Sequence, residues 1–315
     1  MKRKYLLPIV CSLVIISCQK EEVVIPYNCT ANMIDDETAE NTINNTIDLN
    51  ASNPQITGVN GTNITFSSNS FLDENGNIVS GNINIELIDA QDNKDMLLMD
   101  CPTVTTGGQL LESGGIFYFN PTQNGNQLTI NPNNPPLVTM PTENGDLMDY
   151  YTGILDGDGN LSGWELVQSN TIQTIPVFNG IGDTSYYYSF NLTGVGWINT
   201  DHPYGVAPFS TVTVDLPDGY NGSNSSVFIY FRDVNSCITA YDNDNNGSFE
   251  SPCTISESEV VQFVSVSQIE GVRKYCVTAS VDIQPTTHEA TISKDDMEIA
   301  LCDDALRLLI KEGLE

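Results

Sequence analysis

The sequence predicts an all-β protein: two β-sandwich-like domains closed by a C-terminal amphipathic α-helix. Three observations carry this. Short runs of alternating apolar residues recur along the chain, and Asn, Gly, Pro and Asp clusters punctuate them. Helical periodicity is nearly absent before the last twenty or so residues. With 315 residues, 40% of them hydrophobic, the chain has length for two domains and apolar surface for real cores.

The first element is a leader, MKRKYLLPIVCSLVIIS at 1–17. Lys2, Arg3 and Lys4 precede an apolar stretch, Leu6 to Ile16, that is too short to cross a bilayer as a helix. Ile15-Ile16-Ser17-Cys18 resembles the lipobox of bacterial lipoproteins, in which the cysteine is acylated and becomes the first mature residue. Each buried methylene adds about 0.8 kcal/mol of membrane affinity, so two or three chains on Cys18 would hold where one lets go. Gln19, Lys20, Glu21 and Glu22 resemble the acidic export signal of surface lipoproteins of the Bacteroidota. That resemblance implies an outer-membrane lipoprotein facing outward.

Residues 18–57 read as a polar tether, since DDETAENTINNT at 35–46 shows almost no apolar periodicity. The first sandwich is expected at 58–145. Its strands are NITF (63–66), NINIEL (82–87) with Ile83, Ile85 and Leu87 on one face, GGIFYF (114–119), QLTI (127–130) and PLVTM (136–140), with DENGN (73–77) as a turn. The second is expected at 146–315, from YYYSFNL (186–192), TVTVDL (211–216), VVQFVSV (260–266) and KYCVTASVDI (274–283). SVFIYF (226–231) is apolar on both faces and reads as a central strand. A helix is expected at about 294–312, with Ser293 as N-cap and Met297, Leu301, Ala305 and Leu308 as its apolar stripe.

Loss of the three leader cations from 11 Lys+Arg leaves 8 against 41 Asp+Glu, a net charge of −33. A polyanion without a basic patch is a poor partner for nucleic acid. Six cysteines remain beyond Cys11 and Cys18: Cys29, Cys101, Cys237, Cys253, Cys276 and Cys302. An even count in an exported chain predicts disulfides. The pairs Cys237–Cys253, Cys276–Cys302 and Cys29–Cys101 are the expected ones.

NSFLDENGNIVSGNINIELID (69–89), QLLESGGIFYF (109–119), GVGWINTDHPY (194–204) and the acidic C-terminal helix together resemble a recurrent group of uncharacterised Bacteroidota lipoproteins. The first domain is also distantly similar to the ZU5 type of β-sandwich. Members of the lipoprotein group usually carry Cys-Asp after GWIN, whereas here Thr200 takes the place of the Cys. The group brings no catalytic residues with it.

The chemistry-bearing candidates are few. Asp242, Asp244, Asn246, Ser248 and Glu250 follow the D-x-D-x-N-G pattern of a calcium loop, although Cys253 stands where the bidentate Glu belongs. The alternative is a polar hairpin tip. Asp156–Ser162 shares the spacing but has Leu161 at the glycine position, and reads as a turn. Two histidines, His202 and His288, lie far apart in sequence, and no nucleophile elbow or zinc-helix motif accompanies them. Trp164, Trp197, Tyr150, Tyr151 and the Tyr186–Tyr188 run could stack on a glycan or fill a core.

The functional expectation is a noncatalytic surface lipoprotein, held in outer-membrane lipid through Cys18 and acting as a binding or accessory module. An accessory subunit of an outer-membrane barrel, a glycan-binding lipoprotein and a carboxylate-dependent glycoside hydrolase are the alternatives. Calcium is the one cofactor in view.

Overall fold

The computed structural model describes residues 33–315 apart from 143–144, 169–171, 179–183, 206, 258 and 301–302. The fold is all-β, with three short helices among the described residues. A seven-stranded sheet runs Thr42–Asp48, Asn82–Ala90, Leu111–Gln123, Gly196–Pro203, Asp149–Leu155, Leu161–Gln168, with Asn126–Gln127 paired onto Leu111–Gln123. A five-stranded sheet runs Gln173–Phe178, Thr184–Asn191, Leu137–Thr142, Asn63–Thr65, Gln55–Thr57. A six-stranded sheet takes Cys237–Ala240, Ser225–Phe231, Val260–Ile269, Val272–Val277 and Glu298–Ile299, with Val281–Asp282 on Val260–Ile269. In the fourth, Phe209–Asp215 sits between Ser248–Glu250 and Ile255–Ser256 and pairs in parallel with Thr287–Thr291.

Side chains alternate across a strand, so a strand apolar on both faces is a wall between two cores. Phe117 and Phe119 enter the core shared with the five-stranded sheet, where they meet Val138, Met140 and Phe190. Ile116 and Tyr118, which alternate with them along the strand, face a middle core. SVFIYF behaves the same way: Val227, Ile229 and Phe231 join Val212, Val214 and Phe249, while Phe228 and Tyr230 join the middle core. As expected for a central strand, Ser225–Phe231 is paired on both sides. The middle core therefore welds the seven-stranded sheet to the six-stranded one.

Sheet pairing does not follow the division expected at 145/146. Asp149–Leu155 pairs with Gly196–Pro203, and Thr184–Asn191 pairs with Leu137–Thr142, so the first sandwich runs to Pro203. Strands of the second begin at Phe209. Nor is 33–57 a tether. Met33–Glu40 forms α1, Thr42–Asp48 is the edge of the seven-stranded sheet, and Gln55–Thr57 pairs with Asn63–Thr65. An edge strand that is mostly exposed needs little apolar periodicity, which is why the polar run concealed it.

A further helix, α2 (Asn93–Leu98), lies between two strands. Asp92 caps it by accepting from the Asp95 amide at 2.9 Å, and Met96, Leu97, Leu98 and Met99 are all buried in the middle core. The C-terminal helix, α3, is Asp303–Gly313, shorter than expected. Ser293 is not its cap; its hydroxyl donates to Asp296 at 2.6 Å in a turn. Glu298–Ile299 continues the six-stranded sheet instead, and Met297 fills the outer core. Leu306 and Ile310 are the buried stripe, and Leu308 faces solvent.

The three helices meet at a buried charge cluster. Glu37 of α1 is 1% exposed, with Arg307 Nε 3.1 Å from its Oε2 and Lys311 Nζ 2.8 Å from its Oε1. Arg307 also pairs with Glu40, and Lys311 lies 2.8 Å from Asp95 of α2. Removing one partner from a buried pair strands the other charge in low dielectric. Arg307→Met is expected to cost about 3 kcal/mol and to raise amide exchange across α1. Urea unfolding and hydrogen exchange measure both.

Candidate functional site

A cleft of about 750 Å³ opens where the seven-stranded sheet, the five-stranded sheet and the 232–235 turn converge. Asp92, Glu112, Asp146 and Asp233 line it, with Tyr186, Tyr187 and Tyr188 on one side and Arg232 on another. Small-molecule sites usually measure roughly 300–1,000 Å³.

A β-bulge positions its floor. Ser113 pairs with Asp201 and Ile116 with Asn199, so Gly114 and Gly115 together oppose the single Thr200. Gly115 has φ 126°, a conformation that costs glycine nothing. A Cβ at Gly114 would stand 2.5 Å from Tyr188 Cε2, and one at Gly115 would overlap Gln91 Oε1. The pair therefore lets a tyrosine ring and an amide lie directly over the strand. This is the physical content of LESGG.

The bulge also turns Ser113 inward beside GWINTDH. The Ser113 hydroxyl donates to Asn199 Oδ1 at 2.9 Å, and Asn199 Nδ2 donates to Asp201 Oδ2 at 2.5 Å. Asp201 is wholly buried and its Oδ1 has no hydrogen-bond partner. Burial drives the Asp201 carboxyl well above the usual carboxylate range; the Ser113 hydroxyl opposes this and the Glu112 charge reinforces it. His202, on the other face of the strand, lies 3.2 Å from Glu112 through Nε2 and 3.3 Å from Met148 Sδ through Nδ1. The bond to Glu112 raises its pKa against the pull of burial.

The remaining sequence candidates scatter. Trp164 is completely buried and donates its indole N–H to the Pro102 carbonyl at 2.7 Å, so it has no face for a ligand. Trp197 is half-buried against Tyr118, ring centroids 5.3 Å apart. Tyr150 and Tyr151 are core residues on opposite sides of their strand. His288 packs on Phe263, ring centroids 5.7 Å apart and tilted by 32°. Cys18 and Gln19–Glu22 lie outside the described residues, as do Cys29 and Cys302. Cys237 and Cys253 are both unpaired: Cys237 points into the middle core and Cys253 into the outer one, on opposite sides of the six-stranded sheet. Cys101 and Cys276 are also free thiols.

In the Asp242–Gly247 loop, the Asp242 carboxylate accepts from the backbone N–H of Gly222 (3.0 Å), Asn246 (3.0 Å) and Gly247 (2.8 Å). Asn246 Oδ1 accepts from Ser248 N at 2.9 Å. Among the described residues, no group of three or more His, Cys, Asp or Glu side chains could hold a metal ion. Asp73 and Asp156 build one and the same turn twice. Each accepts two amides through Oδ1, from Asn75 and Asn77 and from Asp158 and Asn160, and takes an asparagine amide through Oδ2. Sequence reading missed the cleft itself, because its walls come from six separated segments. Its one visible signal was the double glycine.

The sequence matches no family model and no curated protein. Among solved structures, the Gamma-CGTase from alkalophilic Bacillus clarkii is similar over 82% of this chain at 8% identity and a TM-score of 0.21. This chain spans 42% of that protein's length. A likeness so slight carries no argument. Among the described residues, no helix is long and apolar enough to cross a membrane.

Because burial raises the Asp201 carboxyl above its unfolded value of about 3.9, its stabilising contribution is complete below that value and is lost as pH rises. Asp201→Asn should therefore match wild type near pH 4 and gain on it toward pH 8, by at most about 1.4 kcal/mol per pH unit. Denaturant titrations at the two pH values give the comparison. Melting wild type and Asp242→Ala with millimolar calcium and with chelator tests the metal reading: a calcium-dependent rise in wild type alone supports it, and equal melting of wild type in both removes it.

Proposed function

We propose that this chain is a noncatalytic, lipid-anchored binding module of the outer membrane, presenting its cleft as the ligand site. The cleft is the observation that carries the proposal. Its lining groups are set in advance by the bulge, by the 232–235 turn and by a clasp of amide side chains. Asn93 Nδ2 donates to the carbonyls of Phe231 (2.7 Å) and Val234 (3.0 Å), and Asn235 Nδ2 to those of Gln91 (2.9 Å) and Ser113 (2.7 Å). A site held this way loses little entropy on binding. The polar groups near it are spent on holding shape. Ser113 is bonded to Asn199, and both His202 ring nitrogens have neighbours.

The anchor rests on the lipobox and the acidic segment after Cys18. The roughly 15 residues from Cys18 to Met33 span at most about 50 Å. Acylation at Cys18 would therefore keep the folded body close to the bilayer.

Two measurements test the proposal. Mass spectrometry should find Cys18 acylated, and Cys18→Ser should release the chain from envelopes. Deuterium uptake at 184–188 and 232–235 should fall when the purified chain meets a native outer-membrane extract. Unchanged uptake there, with protection elsewhere, would move the ligand site off the cleft.

A further inference from the structure

On the seven-stranded sheet we infer a second binding site, separate from the cleft, for an extended neutral oligosaccharide. The face of that sheet that enters the middle core through Ile88 and Ile116 runs on beyond the core and emerges into solvent. Register fixes what emerges, because residues opposite one another on neighbouring strands share a face. Asn44 lies opposite Glu86, and Glu86 opposite Asn120. Thr46 lies opposite Asn84, and Asn84 opposite Thr122. Alternation along each strand puts both rows on the Ile88 side. They line a depression of about 520 Å³ that shares no residue with the cleft. Tyr118 and Trp197, directly opposite one another on the same face, stand half-buried where its apolar part gives way to the polar one. Their ring centroids are 5.3 Å apart.

The chemistry of the two rows selects the occupant. In a chain with 41 Asp and Glu among 315 residues, these six side chains include a single charge, Glu86. That carboxylate is engaged: Asn120 Nδ2 donates to Glu86 Oε2 at 3.2 Å, and Gln127 Nε2 donates to Asn120 Oδ1 at 3.3 Å. Thr46 Oγ1 donates to Asn84 Oδ1 at 2.7 Å. Among the described residues the Asn44 amide, the Asn84 Nδ2 group and the Thr122 hydroxyl keep their capacity free. Amides and hydroxyls both donate and accept, as a sugar hydroxyl does, so a neutral polyhydroxyl chain matches the surface in either sense. An anion would meet Glu86 on a polyanion, and an apolar partner would bury amides without replacing their water. The rows cross the strands in straight steps of about 4.8 Å, which suits an extended β-linked chain better than a coiled α-linked one. Beside them the Tyr118–Trp197 pair offers apolar ring surface to a sugar ring.

Cellohexaose and β-1,4-mannohexaose are the probes, titrated calorimetrically into the full chain in a polyoxyethylene detergent. Saturable one-to-one binding of at least one is expected. Asn44→Ala and Asn84→Ala, both at exposed positions where the fold loses little, should each weaken it about fivefold, the worth of one hydrogen bond. Asp244→Asn, on the 242–247 loop, should leave it unchanged. A β-1,4-linked hexamannuronate, the same backbone with a carboxylate on every ring, should bind at least about tenfold more weakly, since like charge across an interface is costly. Equal affinity for the charged chain would overturn the inference, as would the absence of saturable heat with both neutral probes. If a neutral probe binds and Tyr186→Ala abolishes that binding while Asn44→Ala and Asn84→Ala do not, the sugar sits in the cleft and the sheet-face site falls. Protection of the cleft in the membrane extract is read separately, so either site can fail without the other.

Discussion

The structure depends on one shared core. Ile88, Leu111, Ile116, Tyr151 and Trp164 of the first sandwich, Phe228, Tyr230 and Val264 of the second, and the apolar faces of α2 and α3 are buried together. Neither sheet that bounds this core can be solvated on that side. Both must therefore be apolar on two faces, a demand that α/β proteins usually meet and antiparallel sandwiches usually escape. The two sandwiches consequently stack in layers around a common interior. The charge cluster of Glu37, Arg307 and Lys311 ties α1 to α3 at the edge of that interior.

A two-residue irregularity converts this scaffold into a site. Without the bulge at Gly114–Gly115, the alternation along Leu111–Gln123 would carry Ser113 to the opposite face. With it, Ser113 faces Asn199 and Asp201 while Glu112 pairs with His202 on the other side. The same pair of glycines leaves room for Tyr188 and Gln91 to lie over the backbone. Placing a wholly buried carboxyl with a vacant oxygen behind the cleft lowers stability at neutral pH. Bulges that re-aim side chains are common beside functional sites, and the cost carried by Asp201 is consistent with a constraint other than stability.

Strands with a clean alternation were legible in the sequence. Ile83, Ile85 and Leu87 do share a buried face, and SVFIYF is central because both of its faces are apolar. The turns at Asp73 and Asp156 were legible too, since Asp, Asn and Gly at those spacings satisfy local amides without any help from the rest of the fold. Failures came where long-range partners decide. Thr42–Asp48 forms a strand because Asn82–Ala90 presents an edge to it. Residues 298–299 join a sheet because Lys274 and Tyr275 lie within reach, which shortens the helix expected there. Pairing Cys237 with Cys253 looked natural along the chain, but Cys237 faces the middle core from its strand while Cys253, in a bend outside any strand, is buried in the core on the other side of the six-stranded sheet.

What the sequence determined by itself is therefore local or compositional: the all-β class, the turn chemistry and the acidic balance. These follow from backbone propensity, charge and short spacing, which need no distant partner. Tertiary structure alone decided that strands on both sides of residue 145 belong to one sandwich, that Trp164 is core, and that Asp92, Glu112, Asp146 and Asp233 surround one cavity. The reason is that sheet pairing joins segments tens of residues apart, and the cavity walls join segments more than a hundred apart. No periodicity within a segment specifies which distant edge will complete it.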